Sequence, residues 1–153
     1  MPSTSSLKTL IEFAQKQSDA SAKQLGQLNL QKLDAEKKLH LLLEYRQSYQ
    51  VHFQDSAQNG IDHIEWSNFI SFINKLDAAI TEQRQTVLEA QNNRNVGNEA
   101  FLSCQRKLKS YNTLSLRQQR AEEQQLMKNE QKQQDEYASN KPAYNRHLPE
   151  SNE

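Results

Sequence analysis

From Trp66 to Tyr111 apolar side chains recur three and four residues apart: Trp66, Phe69, Ile73, Leu76, Ile80, Val87, Ala90, Phe101, Cys104, Leu108 and Tyr111, interrupted at Gln83, Arg94 and Gly97. Alternating steps of three and four average about 3.5 residues, which keeps a stripe on one side of a gently supercoiled helix. A second stripe precedes it: Leu7, Ile11, Ala14, Ser18, Ser21, Leu25, Leu28, Lys32, Ala35, Leu39, Leu42, Arg46, Tyr49 and Phe53. Neither stripe is stable facing water. Their lengths are nearly equal, so two helices folded back on each other would cover both.

The punctuation fits that reading. Ser3, Thr4, Ser5 and Ser6 supply hydroxyl N-caps for a first helix. Gly26 lies off the stripe and weakens a helix without breaking it. Asp55-Ser-Ala-Gln-Asn-Gly60 is a strong turn signal, because Asn and Gly both tolerate positive φ. Asp62 and Glu65 have the spacing of a capping box. The pattern predicts an all-α fold, a long antiparallel two-helix coiled-coil hairpin with the second helix overhanging the first. Within one coiled-coil unit over 1–140, helix one covers about 5–54, the turn 55–61 and helix two about 62–138. Pro142 and Pro149 mark 141–153 as a disordered tail.

Pairing the ends of the two stripes sets Lys32 near Val87, Arg46 near Ile73 and Arg94 near Leu25. Ser18 then faces Phe101 and Ser21 falls near Gly97, a thin and soft waist. Past Tyr111 the stripe positions turn polar while nothing breaks the helix. The overhang is therefore expected to run about 25 residues, or ~40 Å.

Composition narrows the function. The chain has 153 residues, 35% of them hydrophobic, with three Gly and three Pro, so long helices with a narrow core are expected rather than a large globular core. Its formal net charge is zero, which argues against a general nucleic-acid binder. Cys104 is the only cysteine, which fits a reducing cytoplasmic setting and, on the seam, a small hydrophobe. The N-terminus lacks the pattern of a signal peptide, and no apolar run approaches the ~20 residues of a membrane span. There is no Gly-rich phosphate loop, nucleophile elbow or Cys/His metal spacing. His52 and His63 flank the turn and read as solvated residues. No metal, cofactor or enzymatic activity is expected.

The turn and the start of helix two read Asn59-Gly60-Ile61, then Trp66, Phe69, Phe72, Leu76, Ala79-Ile80 and Gln83-Arg84-Gln85, with Tyr45 and Tyr49 closing helix one. This block resembles the FliJ family, the small coiled-coil component of the bacterial flagellar type III export apparatus. The resemblance covers most of the chain, although after about residue 112 it is one of character only. It implies an antiparallel two-helix coiled coil shaped like the central stalk of rotary ATP synthases. It implies association with the hexameric flagellar export ATPase, whose ring the chain ends enter. It also implies contact with FlhA, the membrane export gate, and with escort chaperones. The chain would then be a monomer when free, cytoplasmic and peripheral to the inner membrane at the flagellar base.

The gate contact of the family falls on one face of helix two, matching Phe72, Leu76, Ala79 and Gln83. Gln83 departs from relatives that carry His there. The ATPase contact is assigned to the open end: Leu7, Leu10 and Ile11 of helix one with Leu114, Leu116, Arg117, Arg120, Glu123, Leu126 and Met127 of helix two. Tyr49, Phe53, Trp66 and Phe69 form the structural tip, with Trp66 capping the core against Phe53 and Tyr49; its removal is expected to cost roughly 3 kcal/mol. Three alternatives stand beside this reading. They are a general coiled-coil scaffold or dimer, a holdase chaperone for exported subunits, and the equivalent stalk of a virulence type III secretion system.

Overall fold

The computed structural model describes residues 3–145, with side-chain surroundings for 3–140. The fold is all-α. Helix α1, Thr4–Ala57, and helix α2, His63–Asn145, are joined by a short turn and pack against each other as a helical hairpin, with no strand among the described residues. Two compact units are distinguished: Ala14–Arg106, which holds the turn, and Met1–Phe13 together with Lys107–Glu153.

Local chemistry explains the helix ends. Ser3 is the cap of α1: its Oγ accepts the amide of Ser6 at 3.2 Å and its carbonyl accepts that of Leu7 at 3.0 Å. At the other end the amides of Asn59 and Gly60 donate to the carbonyls of Ser56 and Ala57 at 3.2 and 3.1 Å, a tightened last turn. Gly60 then takes φ +85°, which an L side chain adopts only with strain. The carbonyl of Asp62 accepts the amide of Trp66 at 3.0 Å and starts α2. Helix α2 runs past its expected end near 138, through Pro142, to Asn145. Proline has no amide to donate and crowds the carbonyl four residues back, yet 138–141 contain no glycine or proline to stop the helix before it. The rest of the expected tail, 146–153, lies outside the described residues.

In the unit Ala14–Arg106 the seam follows the sequence pattern. Every α1 stripe position from Ala14 to Phe53 is buried or half-buried, and so is every α2 stripe position from Phe69 to Cys104. The most enclosed side chains are Ala14, Ser18, Ala35, Phe69, Leu76, Ile80 and Val87. The register is about one turn different from the expected one. Arg46 pairs with Asp77 (Nε to Oδ1, 2.6 Å), not with the level of Ile73, and Arg94 Nε donates to Asn29 Oδ1 at 3.0 Å. These cross-helix pairs, not the ends of the apolar runs, mark the register. Lys32 turns along its own helix to Glu36 at 3.7 Å.

The expected waist is also filled differently. Ser21 Oγ lies 3.6 Å from Cys104 Sγ. Leu28 packs onto Gly97 so closely that a Cβ there would lie 2.5 Å from Leu28 Cδ1. Gly97 is a seat for a leucine rather than a gap.

Next to the turn, rings stack across the hairpin. Phe53 and Phe69 are face to face with centroids 3.7 Å apart and planes 7° apart. Tyr49 stacks on Phe69 at 5.6 Å, and Trp66 leans on Phe53 at 5.7 Å. Trp66 departs from the expectation: it touches Phe53 and Phe69, not Tyr49, and is 50% exposed, whereas Phe69 is 9% exposed. The first turn of α2 lies at the end of the seam, where no further layer covers an indole.

In the unit Met1–Phe13 with Lys107–Glu153, Leu7 is buried against α2. Thr4 Oγ1 accepts from Gln118 Nε2 at 3.1 Å and donates to Glu122 Oε1 at 3.5 Å. Pairing therefore continues past Tyr111 through half-buried Ser115 and Gln118, and α2 loses its partner only after Glu122. All residues from 121 to 140 are exposed.

Two pairs of substitutions test this packing by thermal and denaturant unfolding. Gly26 has nothing within 4 Å of an added Cβ, so Gly26→Ala should stabilise by about 0.5–1 kcal/mol, while Gly60→Ala should destabilise by about 1 kcal/mol. Phe69→Ala should cost about 3–4 kcal/mol and Trp66→Ala about half of that, in proportion to burial. Equal losses at Trp66 and Phe69 would contradict the arrangement of rings.

Candidate functional site

Among the described residues no group of three or more His, Cys, Asp or Glu side chains could hold a metal ion. Among those residues no helix is long and apolar enough to cross a membrane. The candidate site is therefore surface, and two faces stand out, one in each unit.

The first lies on one flank of the hairpin, beside the seam in the unit Ala14–Arg106. Phe72 and Ala79 of α2 flank the seam residues Leu76 and Gln83 and are half-buried. Leu76 is 8% exposed and faces α1, so its role is packing. Gln83 is turned inward as well: its Nε2 donates to the backbone carbonyl of Ala35 at 2.9 Å. That carbonyl has a second lone pair to offer beyond its own helical bond. The surface of this face is thus made by Phe72 and Ala79.

A third residue joins them that the sequence reading quoted but did not place in the contact. Tyr45 of α1 is 55% exposed and meets Phe72 edge-on, with centroids 6.1 Å apart. Tyr49 lies behind both, 4.5 Å from Phe72 and 6.4 Å from Tyr45. Tyr45 precedes seam residue Arg46 and Phe72 precedes seam residue Ile73. The two occupy the same position of the repeat, and in an antiparallel pair that position on both helices falls on the same flank, a signal that was present in the heptads. The phenol and the phenyl edge give this flank an amphipathic aromatic surface of the kind partners use.

The ion pair of Arg46 with Asp77 crosses between the helices on the other flank of the seam. Arg46 uses Nε and Nη2 toward the two carboxylate oxygens, at 2.6 and 3.5 Å, and Nη1 toward Gln50 at 3.3 Å. The hydrogen bond to Asp77, then its charge, pushes the guanidinium pKa further above its ordinary value.

The second face is the open end, in the unit Met1–Phe13 with Lys107–Glu153. Of the residues assigned there, Leu7 is buried and Ile11 half-buried, so both pack the helices together. Leu10, Leu114, Leu116, Leu126 and Met127 are exposed apolar side chains, and Arg117, Arg120 and Glu123 are exposed charges. Leu126 and Met127 lie beyond Glu122, where α1 offers no cover.

Comparison with known proteins agrees with this architecture. Residues 3–147 match the family model described as the flagellar FliJ protein. The chain is similar to the flagellar FliJ protein of Escherichia coli (strain K12), with 28% identity over 132 residues, covering 86% of this chain and 90% of that protein. It is similar to the flagellar FliJ protein of Salmonella typhi to the same extent. A match over nearly the whole helical hairpin places the chain in the FliJ family of flagellar export apparatus components.

Proposed function

We propose that the chain is a non-catalytic stalk of the flagellar type III export apparatus. It binds the hexameric export ATPase, promoting ring assembly and activity, and contacts the export gate FlhA and substrate escort chaperones. It would work in the cytoplasm, peripheral to the inner membrane at the flagellar base, without a cofactor. Family membership supports the setting. The single observation that best supports the ATPase contact is the uncovered end of α2. It carries Leu126 and Met127 exposed among alternating charges, and a helix without an intramolecular partner is free to take an intermolecular one.

The gate contact rests on the aromatic flank. Phe72 and Ala79 touch the partner, Tyr45 extends the surface, and Leu76 and Gln83 shape it from within. The absence of a substrate cleft in so thin a seam is consistent with a binding rather than a catalytic role.

Two measurements test the two contacts. ATP hydrolysis by the purified export ATPase of the same organism should rise with the full-length chain. It should fall to the ATPase-alone rate with Leu126→Ser/Met127→Ser, whose substitutions touch no packed residue. No stimulation by a folded full-length chain would favour the scaffold or chaperone readings. Separately, Tyr45→Ala and Phe72→Ala should each weaken capture by the FlhA cytoplasmic domain by about tenfold, as for a single aromatic anchor, and reduce swarming. Tyr45→Ala should do so with helicity and Tm nearly unchanged, because Tyr45 is largely exposed. Unaltered gate capture by both variants would remove this flank from the contact.

A further inference from the structure

Helix α1 carries a second stripe with the same three-and-four spacing as the seam, on its opposite side. It runs from Lys16 to Asp55, and every residue in it is exposed. Its apolar members include Leu30, 67% exposed, with Leu41 and Val51 also more than half or about half exposed. Large aliphatic side chains aligned on the face away from the core have no role in folding the hairpin. They mark an interaction surface.

The charges on the stripe are ordered. Its N-terminal part is basic, at Lys16 and Lys23, and its C-terminal part acidic, at Glu44 and Asp55. A parallel copy laid in register would set like charges side by side. An antiparallel copy does the reverse. Slid so that Leu30 meets Leu41 of the second copy, the same alignment sets Asp34 against Lys37 of the second copy. It also sets Ala20 against Val51, and Lys16 against Asp55. By two-fold symmetry each of these contacts occurs twice.

We propose that this outer stripe of α1 is a self-association surface on which a second copy of the chain docks antiparallel, back to back. The central element is two Leu30–Leu41 contacts flanking two reciprocal Asp34–Lys37 ion pairs. Competing bonds in the single chain are slight. Asp34 pairs with Lys38 at 3.2 Å and Glu44 with His40 at 2.9 Å, both fully on the surface along the same helix, where such pairs hold a side chain only weakly. The stripe shares no residue with the aromatic flank or the open end, so the proposal stands or falls independently of those contacts. An interface made by one stripe of leucines and exposed ion pairs is weak, with a Kd on the order of tens to hundreds of micromolar.

Sedimentation equilibrium of the full chain, carried to about 1 mM at low salt, tests it. The symmetry makes the decisive variants unusually clean, because each partner residue meets the other type across the axis. Asp34→Lys alone should place lysines opposite lysines, and Lys37→Asp alone should place aspartates opposite aspartates. Each should weaken dimerisation at least tenfold, the scale of two pairs turned repulsive. The double variant Asp34→Lys/Lys37→Asp should restore it, while Leu30→Arg should abolish it. All three substitutions lie on an exposed face, so far-UV circular dichroism and Tm should change little in each of the four variants. A monomer at every concentration would overturn the proposal. So would a dimer indifferent to these variants, or a double variant no better than the singles. If the wild type stays monomeric while Leu30→Arg impairs motility, the stripe serves a different protein and the second copy is excluded.

Discussion

Everything in this protein depends on one narrow seam shared by two helices. No side chain among the described residues is fully enclosed; even the best-covered, Leu7 and Ala14, keep a trace of exposure. A two-helix interface has no third layer, so each seam residue is open toward at least one flank. Stability is then the sum of many half-burials, and the helices must hold themselves up between contacts. The near absence of glycine and proline from α1 and α2 is the sequence's answer to that demand. Small residues at Ala14, Ser18, Ser21, Ala35 and Gly97 let the backbones approach, which recovers dispersion contacts that a thin core otherwise loses.

Because leucines alone would slide, polar groups fix where the helices stop. Arg46 on Asp77, Gln83 on the carbonyl of Ala35, and Arg94 on Asn29 cross between the helices at three levels. Each of these three satisfies itself on the partner helix at modest cost, because its head reaches the rim and stays near water. A register one turn away would leave these donors without acceptors. That specificity matters for function, since the aromatic flank exists only if Tyr45 of α1 and Phe72 of α2 arrive at the same level. The seam's polar interruptions therefore place the residues proposed to meet a partner.

The positions of the seam were legible in the sequence because burial has a period, and period survives without coordinates. From Ala14 to Cys104 the three-and-four pattern identified the inward positions almost without error, Trp66 being the exception. Register was not legible in the same way. A hairpin of near-uniform stripes can slide by a turn and keep every apolar residue inward, and only pairings such as Arg46 with Asp77 break the tie. The site suffered from the same ambiguity. Phe72 was recognisable as a flank residue, but Leu76 and Gln83 lie at seam positions and are consumed by packing. Tyr45, whose heptad position matches that of Phe72, was the accessible neighbour. Trp66 was misplaced because periodicity does not say where a layer ends.

A fold of this kind also limits how it can act. With so thin a seam, much of what a partner can meet is the outside of helices already committed on one side. A helix of a 3.5-residue repeat has room for a seam, two flanks and a back, and each can carry a separate pattern. Here the flank beside Phe72 is aromatic, the far end of α2 is amphipathic and unpaired, and the back of α1 sets Leu30, Leu41 and Val51 among charged and polar residues. Exposed apolar groups lower solubility wherever they occur. A zero-charge chain has little electrostatic repulsion to offset them. Where such groups stand exposed on a flank, a free end or a back, the hairpin itself offers them nothing to pack against, and only another chain could cover them.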